Sequence, residues 1–502
     1  MSAREAHLIL DALIANGVNV TRLCADSRAI EPGDVFIAYP GARSDGRRFI
    51  ADAVKRGAAA VLWERDGFKW DSAVPVPHLA CDGLAHVVGE LAHLVYGKPT
   101  ERLRLIGVTG TNGKTSTSQW LARCFTELHE RCGVVGTLGI GYPDDLQEGL
   151  NTTPDGIVLH SALADFVAEG ARAVAMEVSS IGIDQERIAG ARFDTAVFTN
   201  LTRDHLDYHG TMQAYAAAKA RLFAWPGLRA AVINLDDEFG LELAADCGAR
   251  LACTIGYTTG DCPEHLPAGV HPLVATDLHG TATGQRFTLR WSGMRADVEV
   301  GIVGRFNVSN LLAVMGTLLA AGHAFDEVAG VVQLLHAPPG RMQAIGGVMQ
   351  PLVVVDYAHT PDALEQALKA LRPTAQARGG QLVCVFGCGG DRDPGKRPMM
   401  GAAASRLADS VVLTSDNPRS EDPLVILEQI AVGAGPNAHI ESDRARAISH
   451  TVTQASPDDV ILLAGKGHEP YQEIAGERLP FSDVEHARVA LNAWINQLGA
   501  RP

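Results

Sequence analysis

Gly110-Thr111-Asn112-Gly113-Lys114-Thr115 follows the apolar run Leu103 to Val108 and precedes a helix-compatible segment, Ser116 to Leu128. Strand, glycine loop, Lys-Thr and helix in that order make a phosphate cradle. The glycines let backbone N–H groups turn toward an anion, and Lys114 neutralises the outer phosphates. The Thr115 hydroxyl suits Mg²⁺, and the helix N-terminus adds its positive end, with Ser116 next in line. The stretch predicts a nucleoside triphosphate site on an α/β fold. The general phosphate-loop pattern asks for glycine where this chain has Val108, with Gly107 one place off, so the loop is a variant. A glycine turn that binds nothing would not account for the strand and helix on either side.

Outward from the loop, apolar strand-like runs alternate with helical ones. The runs are Cys132 to Leu138, Ala173 to Val178, Thr195 to Thr199 and Ala230 to Asn234, with helix-like Ile157 to Glu169 and Thr211 to Ala224 between them. That alternation predicts a mostly parallel sheet covered by helices. Gly280 to Val303 instead alternates with period two, which predicts an antiparallel hairpin before a helix over Asn307 to Ala321. Two Gly/Pro turns, Tyr96-Gly97-Lys98-Pro99-Thr100 and Ala337-Pro338-Pro339-Gly340-Arg341, divide the chain. Residues 1–98 read as a small N-terminal α/β domain and 99–337 as the central nucleotide-binding domain. Residues 338–502, with strands Leu352 to Asp356, Leu382 to Phe386, Ser410 to Thr414 and Val460 to Ala464, read as a third, Rossmann-like domain. Three domains also suit 502 residues, and no internal repeat or low-complexity tract interrupts them.

With 46% hydrophobic and 20% charged residues the chain has the composition of an ordinary soluble globular protein. A net charge of −15 argues against broad nucleic-acid binding, so an anionic substrate would need local arginines and lysines. The nine cysteines (Cys24, Cys81, Cys124, Cys132, Cys247, Cys253, Cys262, Cys384, Cys388) are scattered and form no CxxC pair. Neither a disulfide framework nor a zinc site is favoured, and a reducing cytoplasm fits. Met1-Ser2-Ala3-Arg4-Glu5-Ala6-His7 leads into a mixed segment rather than a signal peptide. No apolar run approaches ~18 residues, so a cytoplasmic protein without membrane insertion is expected.

Glu177-Val178-Ser179-Ser180 stands at the C-terminal end of a predicted strand, the edge where open α/β sheets place their ligands. From there Glu177 can reach a metal held by Thr115; read alone, it serves equally as a carboxylate capping the next helix. Thr199 to Gly210 (TNLTRDHLDYHG) gathers His205, Asp207 and His209 at another strand end, a polar cluster suited to metal and phosphate. His205 carries weight only together with these neighbours. In the helix from Thr211, Lys219 shares a face with Met212, Tyr215, Leu222 and Phe223. A lysine in an apolar stripe needs a partner, or else it snorkels its stem along the stripe with its head in water.

GTNGKT at 110–115 resembles the ATP loop of the Mur ligase and folylpolyglutamate synthetase superfamily, and further marks of the Mur ligases run along almost the whole chain. The resemblance implies that Lys219 is carbamylated to N6-carboxylysine, an anion that with His205 helps hold a second Mg²⁺, while Thr115 and Glu177 hold the first. Burial lowers a lysine's pKa and makes the neutral amine available for CO₂ addition, which gives the modification a physical route.

Ala25-Asp26-Ser27-Arg28, Gly33-Asp34-Val35-Phe36 and Asp45-Gly46-Arg47 resemble the family's UDP-sugar site, with Ser27 hydrogen-bonding there and Arg43 and Ser44 beside the uridine diphosphate. Asn151-Thr152-Thr153-Pro154, with Ser179, Gln185 and Arg187, resembles the segment that holds the muramoyl-dipeptide. Arg187 offers the fork that a carboxylate or pyrophosphate wants. Gly304-Arg305-Phe306-Asn307, with Asn310, resembles the nucleotide-base contact. Arg341 and Asp356-Tyr357-Ala358-His359 resemble the residues that reach the ribose and phosphates of ATP. Departures are few: Ser116 stands where many relatives have a second threonine, and Ala42-Arg43-Ser44 is a variable stretch.

Asp416-Asn417-Pro418-Arg419, by itself a Pro turn with an Asx cap, resembles the signature of family members that use meso-diaminopimelate rather than L-lysine. Diaminopimelate carries a second carboxylate at its far end, which a planar guanidinium such as Arg419 can bind bidentately; lysine lacks it. Arg392, at the end of Gly387 to Arg392, and Gly465 and Glu469, in Gly465-Lys466-Gly467-His468-Glu469, supply the family's other amino-acid contacts.

The resemblance therefore implies an ATP-dependent amide ligase with Mg²⁺ as cofactor and ATP as co-substrate, joining meso-diaminopimelate to UDP-N-acetylmuramoyl-L-alanyl-D-glutamate. A monomer without nucleic-acid partners is expected, with domain closure around ATP about a hinge near Pro338-Pro339. The alternatives are the same chemistry with L-lysine, another acceptor within the superfamily, and a P-loop switch or motor. The last would hydrolyse ATP without acceptor or amine.

Overall fold

Val35, Phe36, Ile37 and Ala38 are all buried, as a parallel strand covered on both faces requires. In the computed structural model, which describes residues 2–41, 44–149, 151–261, 265–281, 284–347 and 349–499, that strand belongs to a four-stranded parallel sheet. Its order is β1 (Leu23–Cys24), β2 (Val35–Ala38), β3 (Ala60–Glu64), β4 (His78–Cys81). Helices Ser2–Ala15 and Leu84–Val95 close one face over Leu13, Ile37, Leu62 and Leu91. On the other face Phe36, Val61 and Trp63 pack with Ile50 and Ala53.

The chain divides into two units. The first, residues 1–256 with 265–271 and 316–322, holds this sheet and the phosphate-loop sheet. The latter is built on β5 (Arg104–Thr109), β6 (Cys132–Gly136), β7 (Gly139–Tyr142), β8 (Asp145–Gln147), β9 (Ala173–Glu177), β10 (Thr195–Phe198), β11 (Ala230–Asn234) and β12 (Cys253–Thr258). Spatial order runs β12, β11, β10, β5, β9, β6, β7, β8. β11, β10, β5, β9 and β6 run parallel, and β7 and β8 turn back antiparallel. β5 lies between β10 and β9 with Thr109 opposite Phe198 and Val108 opposite Glu177, so three strand ends meet at one edge.

Side-chain caps start the helices that follow. Asp155 accepts from the N–H groups of Ile157 and Val158, and Thr211 from that of Ala214. Helices Leu84–Val95 and Gly156–Ala168 touch backbone to backbone, since a Cβ on Gly156 would lie 2.9 Å from Gly89 Cα. The loop helix spans Lys114–Glu127, two residues earlier than its apolar pattern starts, because Lys114 and Thr115 form its first turn.

The second unit, residues 257–264, 272–315 and 323–502, carries a three-stranded meander, a six-stranded sheet and a two-stranded hairpin. β13 (Val270–Gly280), β14 (Gln285–Trp291) and β15 (Met294–Val300) form an antiparallel meander where period two predicted a hairpin alone. A register shift between Thr276 and His279 breaks the alternation of β13 and hides it from a period-two reading. Helix Arg305–Ala321 follows. The C-terminal sheet has the order β16 (Gln343–Gly346), β17 (Leu352–Asp356), β21 (Val460–Ala464), β18 (Leu382–Phe386), β19 (Ser410–Leu413), β20 (His439–Ile440), parallel except β16. Ala464 stands opposite both Asp356 and Phe386, so the segments after these strands share one C-terminal edge. β22 (Tyr471–Ile474) and β23 (Glu477–Pro480) form a separate hairpin. No helix among the described residues is long and apolar enough to cross a membrane.

Candidate active site

Gly110 leaves β5 at φ 153°, and a Cβ there would lie 1.8 Å from Thr199 Oγ1, so only glycine lets the loop pass the end of β10. Gly113 caps the next helix in the left-handed region, φ 86°. The loop is then laced to β10: Asn112 N–H donates to Asn200 Oδ1 (2.9 Å), Thr199 Oγ1 donates to Asn112 O (2.6 Å), and Thr202 N–H to Thr111 Oγ1 (2.9 Å). Lys114 Nζ folds back on the carbonyls of Gly110 and Thr111, each at 2.9 Å. Thr115 and Ser116 lie buried at the helix start.

Glu177, 1% exposed at the end of β9, receives the Thr115 hydroxyl (3.1 Å), the Thr137 hydroxyl (3.1 Å) and the Thr137 N–H (2.8 Å). It does not cap the following helix; Ser179 does, accepting from Gly182 N–H at 3.0 Å. Thr137 Oγ1 also meets Thr152 Oγ1 at 3.0 Å. Thr153 Oγ1 donates to Glu177 O (2.9 Å), and Arg187 Nη1 donates to Thr153 O (2.9 Å). Gln185 Oε1 accepts from Arg187 Nε and Nη2, so Thr152, Thr153, Ser179, Gln185 and Arg187 form one connected rim beside Glu177, with Asn151 exposed at its start. Tyr39, just past β2, has its hydroxyl pKa raised by burial and by Asp155 against the pull of Arg187, which sets that strand end beside this rim.

Lys219 does not snorkel. It is 1% exposed, its Nζ donates to Gly110 O at 2.9 Å and lies 4.4 Å over the Tyr215 ring. Burial holds its pKa well below the ordinary lysine value, the positive charge of Lys114 adds to this, and Asp204 opposes it. Tyr215 OH in turn meets Thr111 Oγ1 at 3.1 Å, and its ring centre is 6.1 Å from that of His205. His205 sits at φ 52° with Nε2 3.5 Å from Asp204 Oδ2. The His209 ring also lies beside Tyr215, 5.3 Å between centres, with Nε2 2.9 Å from Ser180 Oγ, and Asp207 is exposed.

Ser27 is buried in the turn after β1, and Ser44 is exposed in the turn after β2. Arg43 lies outside the described residues.

In the second unit Asn307 and Asn310 are buried and joined at 3.3 Å in the first turns of their helix. Asp356 accepts from the N–H groups of Met342 (2.8 Å) and Ala358 (2.9 Å), while the Arg341 guanidinium lies 4.5 Å over Tyr357. Along the same edge Asn417 Nδ2 donates to Glu469 Oε2 (2.8 Å), and Gly390 N–H donates to Asn417 O (2.9 Å). A Cβ on Gly465 would lie 2.3 Å from Asp416 Oδ2. Arg419 follows Pro418 at φ 51° and donates from Nη1 to Gly390 O (2.8 Å). Arg392 is exposed nearby in sequence.

Sequence reasoning missed Thr137, Asn200, Lys466 and the Arg444–Asp483 pair. Lys466, 0% exposed, donates to Asn417 Oδ1 (2.9 Å) and Glu469 Oε2 (3.0 Å). Arg444 and Asp483 are paired at 2.7 Å with both side chains at 0% exposure, and Arg444 also donates to Ala464 O and Ser415 O. A lysine between two glycines after an apolar strand was the available signal for Lys466; nothing local marked the others.

Among the described residues no three His, Cys, Asp or Glu side chains converge as a metal cage. The hydrogen bonds on Glu177 come from neutral groups, and a hydroxyl shares its oxygen. That donor set fits Mg²⁺, which takes one or two protein oxygens and completes its shell with water and phosphate.

Three family models match in sequence order. The Mur ligase family catalytic domain covers residues 19–96, the Mur ligase middle domain 108–318, and the Mur ligase glutamate ligase domain 340–467. The UDP-N-acetylmuramoyl-L-alanyl-D-glutamate--2,6-diaminopimelate ligase of Ectopseudomonas mendocina (strain ymp) is 53% identical over 484 residues, 95% of this chain and 96% of its own length. The enzyme of the same name from Ralstonia nicotianae is 53% identical over 492 residues, 97% of this chain and 96% of its own. A solved structure of a ligase of that name aligns with TM-score 0.67 at 39% identity, over 94% of this chain and 95% of its own. MurF from Thermotoga maritima in complex with ADP shares the fold, with TM-score 0.64 at 17% identity over 95% of this chain and 98% of its own. With its phosphate loop, its C-terminal sheet edge and its full length all matched in this way, the chain belongs to the Mur ligase family.

Proposed function

We propose that this chain is the ATP-dependent ligase that joins meso-2,6-diaminopimelate to the D-glutamate carboxylate of UDP-N-acetylmuramoyl-L-alanyl-D-glutamate in peptidoglycan synthesis. The observation that carries the choice of amine is the Asp416–Arg419 turn. It puts a guanidinium on the same edge as Asn417 and Glu469, in a chain 53% identical to ligases named for diaminopimelate.

The chemical problem is that a carboxylate is a poor acyl donor, because its leaving group would be an oxide. Transfer of the γ-phosphoryl group of ATP to the D-glutamate carboxylate gives an acyl phosphate and ADP. The diaminopimelate amine then adds to the acyl carbon, loses a proton, and expels phosphate as the amide forms. In such transfers the protein positions reactants and neutralises charge. Gly110, Thr111, Asn112 and Gly113 present backbone to the triphosphate, Lys114 swings from the loop carbonyls to the phosphates, and Ser116 lines the helix start. Asn307, Arg341 and Asp356 serve the rest of the nucleotide. Ser27, Arg43, Ser44 and the rim from Asn151 to Arg187 hold the UDP-substrate. Arg392, Asp416, Asn417, Pro418, Arg419, Gly465 and Glu469 hold the amino acid.

Mg²⁺, when bound, supplies positive charge to the triphosphate oxygens; Thr115 and Glu177 would hold one ion, and His205 and a carbamylated Lys219 another. The burial of Lys219 favours the neutral amine that CO₂ needs, and a carbamate nitrogen keeps one N–H for Gly110 O. We further read the domains as 1–98 for the UDP-substrate, 99–337 for ATP and 338–502 for the amino acid, in a cytoplasmic monomer.

The test is phosphate release from the purified protein with ATP, Mg²⁺ and the UDP-dipeptide. Release that requires meso-diaminopimelate is expected. Preference for L-lysine would keep the ligase and overturn the role of Arg419. Release indifferent to amine and acceptor would replace the ligase by a nucleotide switch.

A further inference from the structure

A two-stranded hairpin is marginally stable by itself in water, so the contacts of β22 and β23 show what the pair is fastened to. They converge on the Asp416–Arg419 turn. Gln472 Nε2 donates to Asp416 O (2.7 Å), and Glu473 N–H donates to Asn417 Oδ1 (2.9 Å). Arg419 N–H donates to Glu473 O (3.0 Å), and Ala475 N–H donates to Arg419 O (2.7 Å), so Arg419 is bridged to the edge of β22 opposite Ile474. These two backbone bonds hold Arg419 at φ 51°, in the left-handed region that a residue with a Cβ adopts only at a cost.

The side chain is anchored too, by one hydrogen bond and one ion pair. Arg419 Nε lies 3.3 Å from Glu473 Oε2 while Nη1 is on Gly390 O, and both members of the pair keep about a quarter of their side-chain surface, 22% and 26%. A guanidinium is planar, so fixing Nε and Nη1 fixes the plane and presents the Nη2 edge in one direction. We propose that Glu473 is a positioning residue that sets amine specificity: it orients the Arg419 fork so that a carboxylate at the far end of the amine substrate is met bidentately. This rests on the ligase reading above. An amine without that carboxylate leaves a fixed, desolvated guanidinium edge unpaired, and a site built to pair a group discriminates strongly against its absence. Without Glu473 only the Nη1 bond to Gly390 O still holds the guanidinium, which then pivots about that single contact, and part of that discrimination is lost.

The experiment uses the full-length enzyme with Glu473→Ala, Glu473→Gln, Arg419→Ala and the double variant Arg419→Ala/Glu473→Ala. For each, KM for diaminopimelate, ATP and the UDP-dipeptide is measured, with the ratio of kcat/KM for diaminopimelate over L-lysine. Glu473→Ala is expected to raise KM for diaminopimelate and lower the ratio by about tenfold, as loss of one oriented charged contact does. KM for the other two substrates should stay within about twofold, and Glu473→Gln, which keeps an acceptor for Nε–H, should retain most of the ratio. In the double variant Glu473→Ala should cost nothing beyond Arg419→Ala, because it acts through Arg419. An unchanged ratio in Glu473→Ala, full additivity in the double variant, or an equal rise in all three KM values would overturn the proposal. Wild-type enzyme that releases phosphate without needing diaminopimelate would instead overturn the ligase reading on which it rests.

Discussion

The two C-terminal sheet edges of this protein are built by different means. At the β5 edge of the first unit the surface is backbone: a six-residue loop whose Gly110 is demanded by the 1.8 Å approach of Thr199 and whose Gly113 turns in the left-handed region, closed by a helix N-terminus. At the β21 edge of the second unit the working surface is side chains held by other side chains. Lys466 ties Asn417 to Glu469, Glu473 ties Arg419, and a fully buried Arg444–Asp483 pair lies behind the strand ends. A phosphate is recognised by N–H groups that one short peptide supplies. An amino acid with charges at both ends needs separate charges, and those come from distant stretches of chain.

The comparison breaks first at the lysines of the phosphate edge. Lys114→Ala should lower the rate of phosphate release by about 10³-fold or more, since on the proposed reading it removes the charge that meets the transferring group. Lys219→Ala should cripple the enzyme with bicarbonate failing to restore it; a fully active Lys219→Ala enzyme would remove this lysine from the site.

At the other edge the largest expected effect is on stability. Asp483→Ala leaves Arg444 buried without its partner and should cost about 3–5 kcal/mol, read by denaturant unfolding. A loss below about 1 kcal/mol would mean that water reaches the guanidinium.

Arg419→Ala sharpens the contrast further. It should lower kcat/KM for diaminopimelate by about 10²-fold while leaving KM for ATP near the wild-type value. A variant that lost ATP affinity instead would show that the edge serves the nucleotide.

The smallest effect concerns neither edge. His93 and His160 pack edge to face, 5.2 Å between ring centres, where helices Leu84–Val95 and Gly156–Ala168 meet, and burial pushes both pKa values down to about 4 from an ordinary 6.5. Between those values the unfolded chain binds protons that the folded chain does not. Stability is therefore intact above pH 6.5 and falls as pH drops toward 4. His160→Gln should flatten that slope by about 2 kcal/mol in melts at pH 5 against pH 7, and an unchanged slope would place the titration elsewhere.

How much was legible follows the same division. The strands Ala230–Asn234, Leu352–Asp356, Leu382–Phe386 and Val460–Ala464 were readable to the residue, because parallel strands buried on both faces are unbroken apolar runs. β13 was not, because its register shift interrupts the period on which the reading depends. Glu177 was legible at the end of its strand, but its partner Thr137, just past β6, has no signature beyond following a strand.

By itself the sequence determined the α/β class, the phosphate loop and the turn that carries Arg419, because each is a contiguous stretch whose local geometry follows from its residue types. Only the tertiary structure decided that Lys219 turns inward to Gly110 O and not to water, that Lys466 joins Asn417 to Glu469, and that Glu473 reaches Arg419. Those facts depend on which strand ends lie side by side. A buried charge takes its state from neighbours that may be a hundred residues away, and no local pattern of residue types records them.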